Sequence, residues 1–128
     1  RRSIYASYDT RRAPYKNTLE TPQRLLVRTR GNWTYTTTDT TTAAGVPWDS
    51  KLERRKDEIR VTTCNPFSLV AKVEPAGEGS EPEFLCLGGD DIIPLAPGAT
   101  ISFGMNEFQG EYESNRGLIR VELLVSDR

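Results

Sequence analysis

Histidine, the side chain most often used as a general base or metal ligand near neutral pH, occurs nowhere in these 128 residues. Ser-His and Cys-His nucleophile pairs and His-metal centres are therefore closed to this chain. Carboxylates and thiols remain. Asp90-Asp91 and Glu111/Glu113 are the pairs from which a glycosidase-type acid and base could be drawn, but both lie among turn and loop residues, the usual setting of solvated acids. Asp90-Asp91 follows two glycines and could offer oxygens to Ca²⁺, yet it lacks the alternating D-x-D-x-D-G spacing of a calcium loop. Cys64 and Cys86, with no histidine to join them, fall short of a tetrahedral metal site; they are either a disulfide between neighbouring strands or two buried thiols. Gly88-Gly89 leads into neither Lys-Ser/Thr nor a helix, and the stretch around Gly77 and Gly79 is acidic, so no loop is suited to cradle a phosphate. The expectation is a chain with no enzymatic activity, cofactor, metal or small-molecule substrate.

Binding chemistry is better represented. Residues 1–22 carry Arg1, Arg2, Tyr5, Tyr8, Arg11, Arg12 and Tyr15 with no hydrophobic period. Arginine supplies directional donors and tyrosine a large contact area at low entropy cost, the properties of interface residues. These seven are the candidate partner-binding set, on an extended basic arm expected to lie outside the core and to gain order on another protein chain. Removing it is expected to leave the remainder, 23–128, folded. Charge is also polarised: the first thirty residues are mainly basic and those after Val73 mainly acidic, although the net charge is only −1. Such asymmetry favours head-to-tail self-association or docking on an acidic partner. Nucleic-acid binding by the arm is disfavoured because the rest of the chain is net negative and shows no recognition motif. A carbohydrate site would have to use Trp33, Tyr35 and Trp48, which as strand aromatics more often belong to a core. No apolar run approaches the ~20 residues that span a bilayer, so no membrane partner is expected.

The elements that would position these residues read as β. In QRLLVRTR, Leu25, Val27 and Thr29 alternate with Arg28 and Arg30; Gly31-Asn32 offers a turn, and WTYTTTDTTT resumes the alternation as the second arm of a hairpin. Ser50, with Glu53 three residues on, is a capping pattern for a one- or two-turn helix over 51–58. EIRVTT and SLVAKV flank Asn65-Pro66 as a further hairpin, and 74–83 is a Pro/Gly/Glu-rich acidic loop. FLCL, IIPL and TISFG are short strands, with Pro97-Gly98 suited to a type II turn between the last two. The stretch 104–117 reads as a polar loop. LIRVELLV closes the chain as a central strand, with Ile119, Val121, Leu123 and Val125 on one face. One all-β domain follows: an antiparallel β-sandwich or small barrel of about seven to eight short strands behind the arm.

IRVTTCNPFSLVAKV, IIPLAPGATISFG and LIRVELLV, together spanning residues 59–125, resemble the β-sandwich cement and decoration proteins of tailed bacteriophage virions. The resemblance implies a non-enzymatic virion protein that sits on or between capsid subunits, stabilises the particle, self-associates, and reaches a neighbour with its terminal arm. A carbohydrate- or surface-binding module, extracellular in location, and a small viral coat protein with an arm on nucleic acid are the alternatives.

Overall fold

The structure is a computed structural model that describes residues 2–6, 14–35, 39–77, 79–108 and 117–126. Among these residues nine strands form two antiparallel sheets packed as a sandwich. The first sheet contains β1 (Arg2–Ala6), β9 (Gly117–Ser126), β3 (Gln23–Thr34) and β4 (Thr40–Thr41) in that order, with β7 (Asp91–Leu95) also paired to β3. The second runs β2 (Tyr15–Lys16), β8 (Thr100–Met105), β5 (Leu69–Glu74) and β6 (Glu83–Cys86). No helix among the described residues is long and apolar enough to cross a membrane.

Alternation does most of the positioning. Along β3, Gln23, Leu25, Val27 and Trp33 turn inward while Arg24, Arg28 and Arg30 face solvent. Along β9, Ile119, Val121 and Leu123 are fully buried and Arg120 and Leu124 point out. The two strands pair antiparallel over Arg24↔Ser126 through Trp33↔Gly117, which makes β9 a central strand as its sequence implied. From the other sheet, Leu69, Ala71, Ile101, Phe103 and Met105 meet these inward residues in one core cluster. The Pro97-Gly98 turn also forms as expected: Ala99 N donates to Ala96 O, and Gly98 takes φ 77°, the positive angle that glycine adopts without steric cost.

Several expectations are overturned. The arm is not outside the sandwich. Arg2, Tyr5 and their neighbours in β1 pair with β9 from Arg2↔Leu123 to Ala6↔Ile119, and β2 pairs with β8. Tyr15, expected to meet a partner, is a core residue whose hydroxyl donates to Gln23 Oε1. Asn17 is fully buried: its Nδ2 donates to the Thr21 and Leu95 carbonyls, its Oδ1 accepts from Leu19 N, and its backbone bonds both Ala99 and Gly98. Composition hid this because polar hydrogen bonds, which leave no hydrophobic period, tie the segment down. Arg1, Tyr8, Arg11 and Arg12 lie outside the described residues.

Gly31-Asn32 is not a turn either. β3 runs straight through it in unbroken register with β9, and its end pairs antiparallel with β4, Thr34 opposite Thr40. A ladder of ten residue pairs with β9 outweighs the local turn preference. The helix is Ser50–Glu53, capped one residue earlier than expected by Asp49, whose Oδ1 accepts from Leu52 N; a 3-10 turn follows at Lys56–Glu58.

The hairpin expected across Asn65-Pro66 is absent as well. Residues 60–68 form no strand, although Ile59 makes an isolated bridge with Phe108. Instead this loop folds over the outer face of the second sheet, where Val61, Cys64 and Val70 form a small second core with Phe84 packed against it. The apolar residues of EIRVTT therefore do cover a sheet, but as a lid without strand pairing.

Cys64 and Cys86 are joined as a disulfide with a Cα separation of 5.3 Å, which resolves the two alternatives the sequence left open. The bridge staples the lid to β6. Closing a loop over a sequence separation of 22 residues restrains the unfolded chain. Loss of the bridge by reduction, or by Cys64→Ser with Cys86→Ser, is expected to cost about 3 kcal/mol on the chain-entropy model. Urea unfolding with and without reductant measures this, and coincident midpoints would show that the bridge contributes nothing.

Candidate functional site

The reactive candidates are scattered. Asp90 and Asp91 sit in and after the β6–β7 turn, where Asp90 Oδ1 accepts from Thr29 N on β3 and Asp91 Oδ1 from Ile92 N, so both carboxylates are engaged by backbone amides. Glu111 and Glu113 lie outside the described residues. Among the described residues no three Cys, Asp or Glu side chains gather as a metal site.

The aromatic candidates are largely committed to packing. Trp33 is only 2% exposed and its Nε1 donates to Phe67 O, so it presents no face to a sugar. Tyr35 stacks on Phe67 with ring centroids 4.3 Å apart; Phe108 packs edge-on to both Phe67 and Trp48. Lys56 and Arg55 stand over the rings of Trp48 and Phe108 at 5.1 and 4.5 Å. Phe67 itself has φ 64°, uncommon for a residue with a side chain. This corner holds it there through its ring contacts, through Phe67 N donating to Asn106 O, and through the Trp33 indole.

Asn106, in a stretch whose composition predicts a polar loop, is the polar centre of the same region. It is fully buried, as are Glu107 and Phe108 to within 1%. Its Nδ2 donates to the carbonyls of Val61, Cys64 and Asn65 at 2.9, 3.2 and 3.0 Å, and its Oδ1 accepts from Val61 N at 2.8 Å. One side chain thus replaces the ladder that the lid lacks. Gly45 lets the 42–46 turn approach the same lid: its φ is 70°, and a Cβ there would overlap Pro66 O. These features tie the lid to the edge of the sandwich.

What remains open to solvent is the outer face of the first sheet. Leu26 stands opposite Ile92 on β7 and opposite Leu124 on β9, so three aliphatic side chains form one row across three adjacent strands. Ile92 is 60% and Leu124 48% exposed. In the neighbouring rows, Arg24 faces Pro94 and Ser126, and Arg28 faces Glu122; beyond them Arg30 faces Arg120, opposite which stands Tyr5 of β1. Leu26, Arg28, Glu122 and Leu124 line a shallow groove. Arg120 and Glu122 form a loose ion pair on this face at 3.8 Å. An aliphatic strip bordered by arginines has the composition of a protein contact surface. The alternation in QRLLVRTR signalled it, because Leu26 breaks the polar run of the solvent side; the coincidence with Ile92 and Leu124 required the strand order.

No family model, curated protein or solved structure matches this chain.

Proposed function

We propose that this chain is a non-enzymatic structural protein of a virion that binds capsid subunits and stabilises the particle, in the manner of cement and decoration proteins. The observation that carries this reading is the contrast between the two outer faces of the sandwich. One is sealed by a disulfide-stapled lid; the other leaves Leu26, Ile92 and Leu124 in a row at the surface. Exposed aliphatics on a regular, well-paired sheet cost solubility and are kept where another surface covers them. A rigid sheet face loses little conformational entropy on docking, which suits a protein that must clamp neighbouring subunits. The docking role moves accordingly from the arm, whose Tyr15 is internal, to this face.

The test is made on gradient-purified particles from the virus-producing cell. The chain should be present at a fixed ratio to the major capsid protein, and Ile92→Lys or Leu124→Lys should abolish its retention while leaving its near-ultraviolet circular dichroism unchanged. Absence from washed particles would overturn the reading.

A further inference from the structure

We propose that the arginine-bordered aliphatic row receives the acidic segment 74–83 of a second copy of this chain. The inference rests on the preceding reading of this face as the surface that holds the chain on the particle, and specifies that what covers it there is a neighbouring copy in the same layer and not the capsid subunit itself. Three observations converge on the occupant. The face is basic around an apolar centre: Arg24, Arg28, Arg30 and Arg120 are exposed about Leu26, Ile92 and Leu124, against half-buried Glu122 and, at its edge, Asp90, whose carboxylate is engaged by Thr29 N. The segment is its complement, EPAGEGSEPE, with Glu74, Glu81 and Glu83 exposed beside exposed Pro75, Ala76 and Pro82. Glu74 already holds Lys72 at 3.1 Å, which leaves Glu81 and Glu83 as the carboxylates to meet the arginines.

The third observation is placement. The segment connects β5 to β6 in the second sheet, and its Ala76 sits against Gly98 in the turn after β7. Face and segment belong to different sheets of one copy, so they meet between copies. The contact is heterologous: each copy offers its face to one neighbour and its segment to another. Such contacts close into rings or run on as chains, as a lattice on a particle requires. Three aliphatics and a few ion pairs make a small interface, weak for a single pair and strengthened when many copies are held on one surface. A nucleic-acid occupant is less well matched, because bases stack on aromatic rings and the centre of this face is aliphatic.

The experiment is sedimentation velocity of the full chain over a concentration and salt series, with two variants altered only at exposed positions. Ile92→Lys with Arg28→Glu changes the face; Glu81→Lys with Glu83→Lys changes the segment. The parent should self-associate more weakly as salt rises, and each variant should weaken association by at least about tenfold. An equimolar mixture of the two variants should form dimers and nothing larger, since one intact face and one intact segment remain per pair. A parent that stays monomeric to about 1 mM overturns the proposal, because association weaker than about −4 kcal/mol could not order copies. Association unchanged by the segment variant also overturns it, as does a single-stranded oligonucleotide that binds the face and is lost on Arg28→Glu. Particle retention lost with the face variant but kept with the segment variant would sink this inference and leave capsid docking standing. Loss of neither would sink both.

Discussion

Asn106→Ala is expected to lower stability by about 4 kcal/mol. The side chain bonds the backbone of the lid at four points: its two Nδ2 hydrogens are shared among the Val61, Cys64 and Asn65 carbonyls, and Oδ1 accepts from Val61 N. Alanine leaves the Val61 amide and the Cys64 carbonyl without these partners at a site that is itself fully buried, while the Val61 carbonyl keeps the bond from Cys64 N. An orphaned buried group costs about 1–3 kcal/mol, and water entering the gap recovers part of the sum. For a domain of ordinary stability, about 5–15 kcal/mol, this is a large fraction of the whole. Asn106→Asp gives a sharper test. It keeps the shape and the acceptor for Val61 N, but turns an ionised carboxylate toward three carbonyl oxygens. At neutral pH it should be at least as damaging as alanine. At acid pH, where the carboxyl can protonate and donate once, part of the loss should return. Thermal unfolding at pH 7 and at pH 4 measures both, and an Asn106→Ala midpoint within a degree or two of the parent would show that the node does not hold the lid.

Removal of residues 1–22 is expected to abolish the cooperative fold. The deletion takes away the β1 strand on β9, the β2 pairing with β8, the buried Tyr15 ring and the Asn17 side chain with its three hydrogen bonds. Gln23 Oε1, Leu95 O, Ala99 O and Gly98 N would lose the partners that residues 15 and 17 now supply, at the junction between β7 and β8. Losing several buried hydrogen bonds and a core aromatic together amounts to a cost comparable to the total stability of a domain this size. Asn17→Ala separates the polar node from the rest and should by itself cost about 3 kcal/mol. Urea denaturation followed by fluorescence and circular dichroism reads both variants. A truncated chain that unfolds cooperatively near the parent midpoint would mean that the first 22 residues are an appendage after all.

The strands that alternate strictly were legible in the sequence. Leu25 and Val27, and Ile119, Val121, Leu123 and Val125, recur at every second position, the period of a half-buried strand, and both stretches became the paired β3 and β9 of the first sheet. Pro97-Gly98 was equally legible, since the backbone angles of those two residue types dictate the turn. That Cys64 lies near Cys86 was expected from two apolar strands sharing a core; the two do meet, but through the lid that covers the outer face of the second sheet. Four other features depended on partners far away in the chain. Asn17 and Asn106 look like loop residues because an amide says nothing about what it will bond until Leu95 and Val61 are brought beside it. Gly31-Asn32 kept to the ladder because β9 lay alongside. EIRVTT has the composition of a strand but became a lid, because β5 spent its two edges on β6 and β8 and offered it none. The candidate docking face is of the same kind: Leu26, Ile92 and Leu124 are separated by long stretches of sequence and become one surface only through the order β7-β3-β9. Period and turn chemistry are local and can be read from residue types; strand order and buried polar bonds are long-range, and only the tertiary structure decides them.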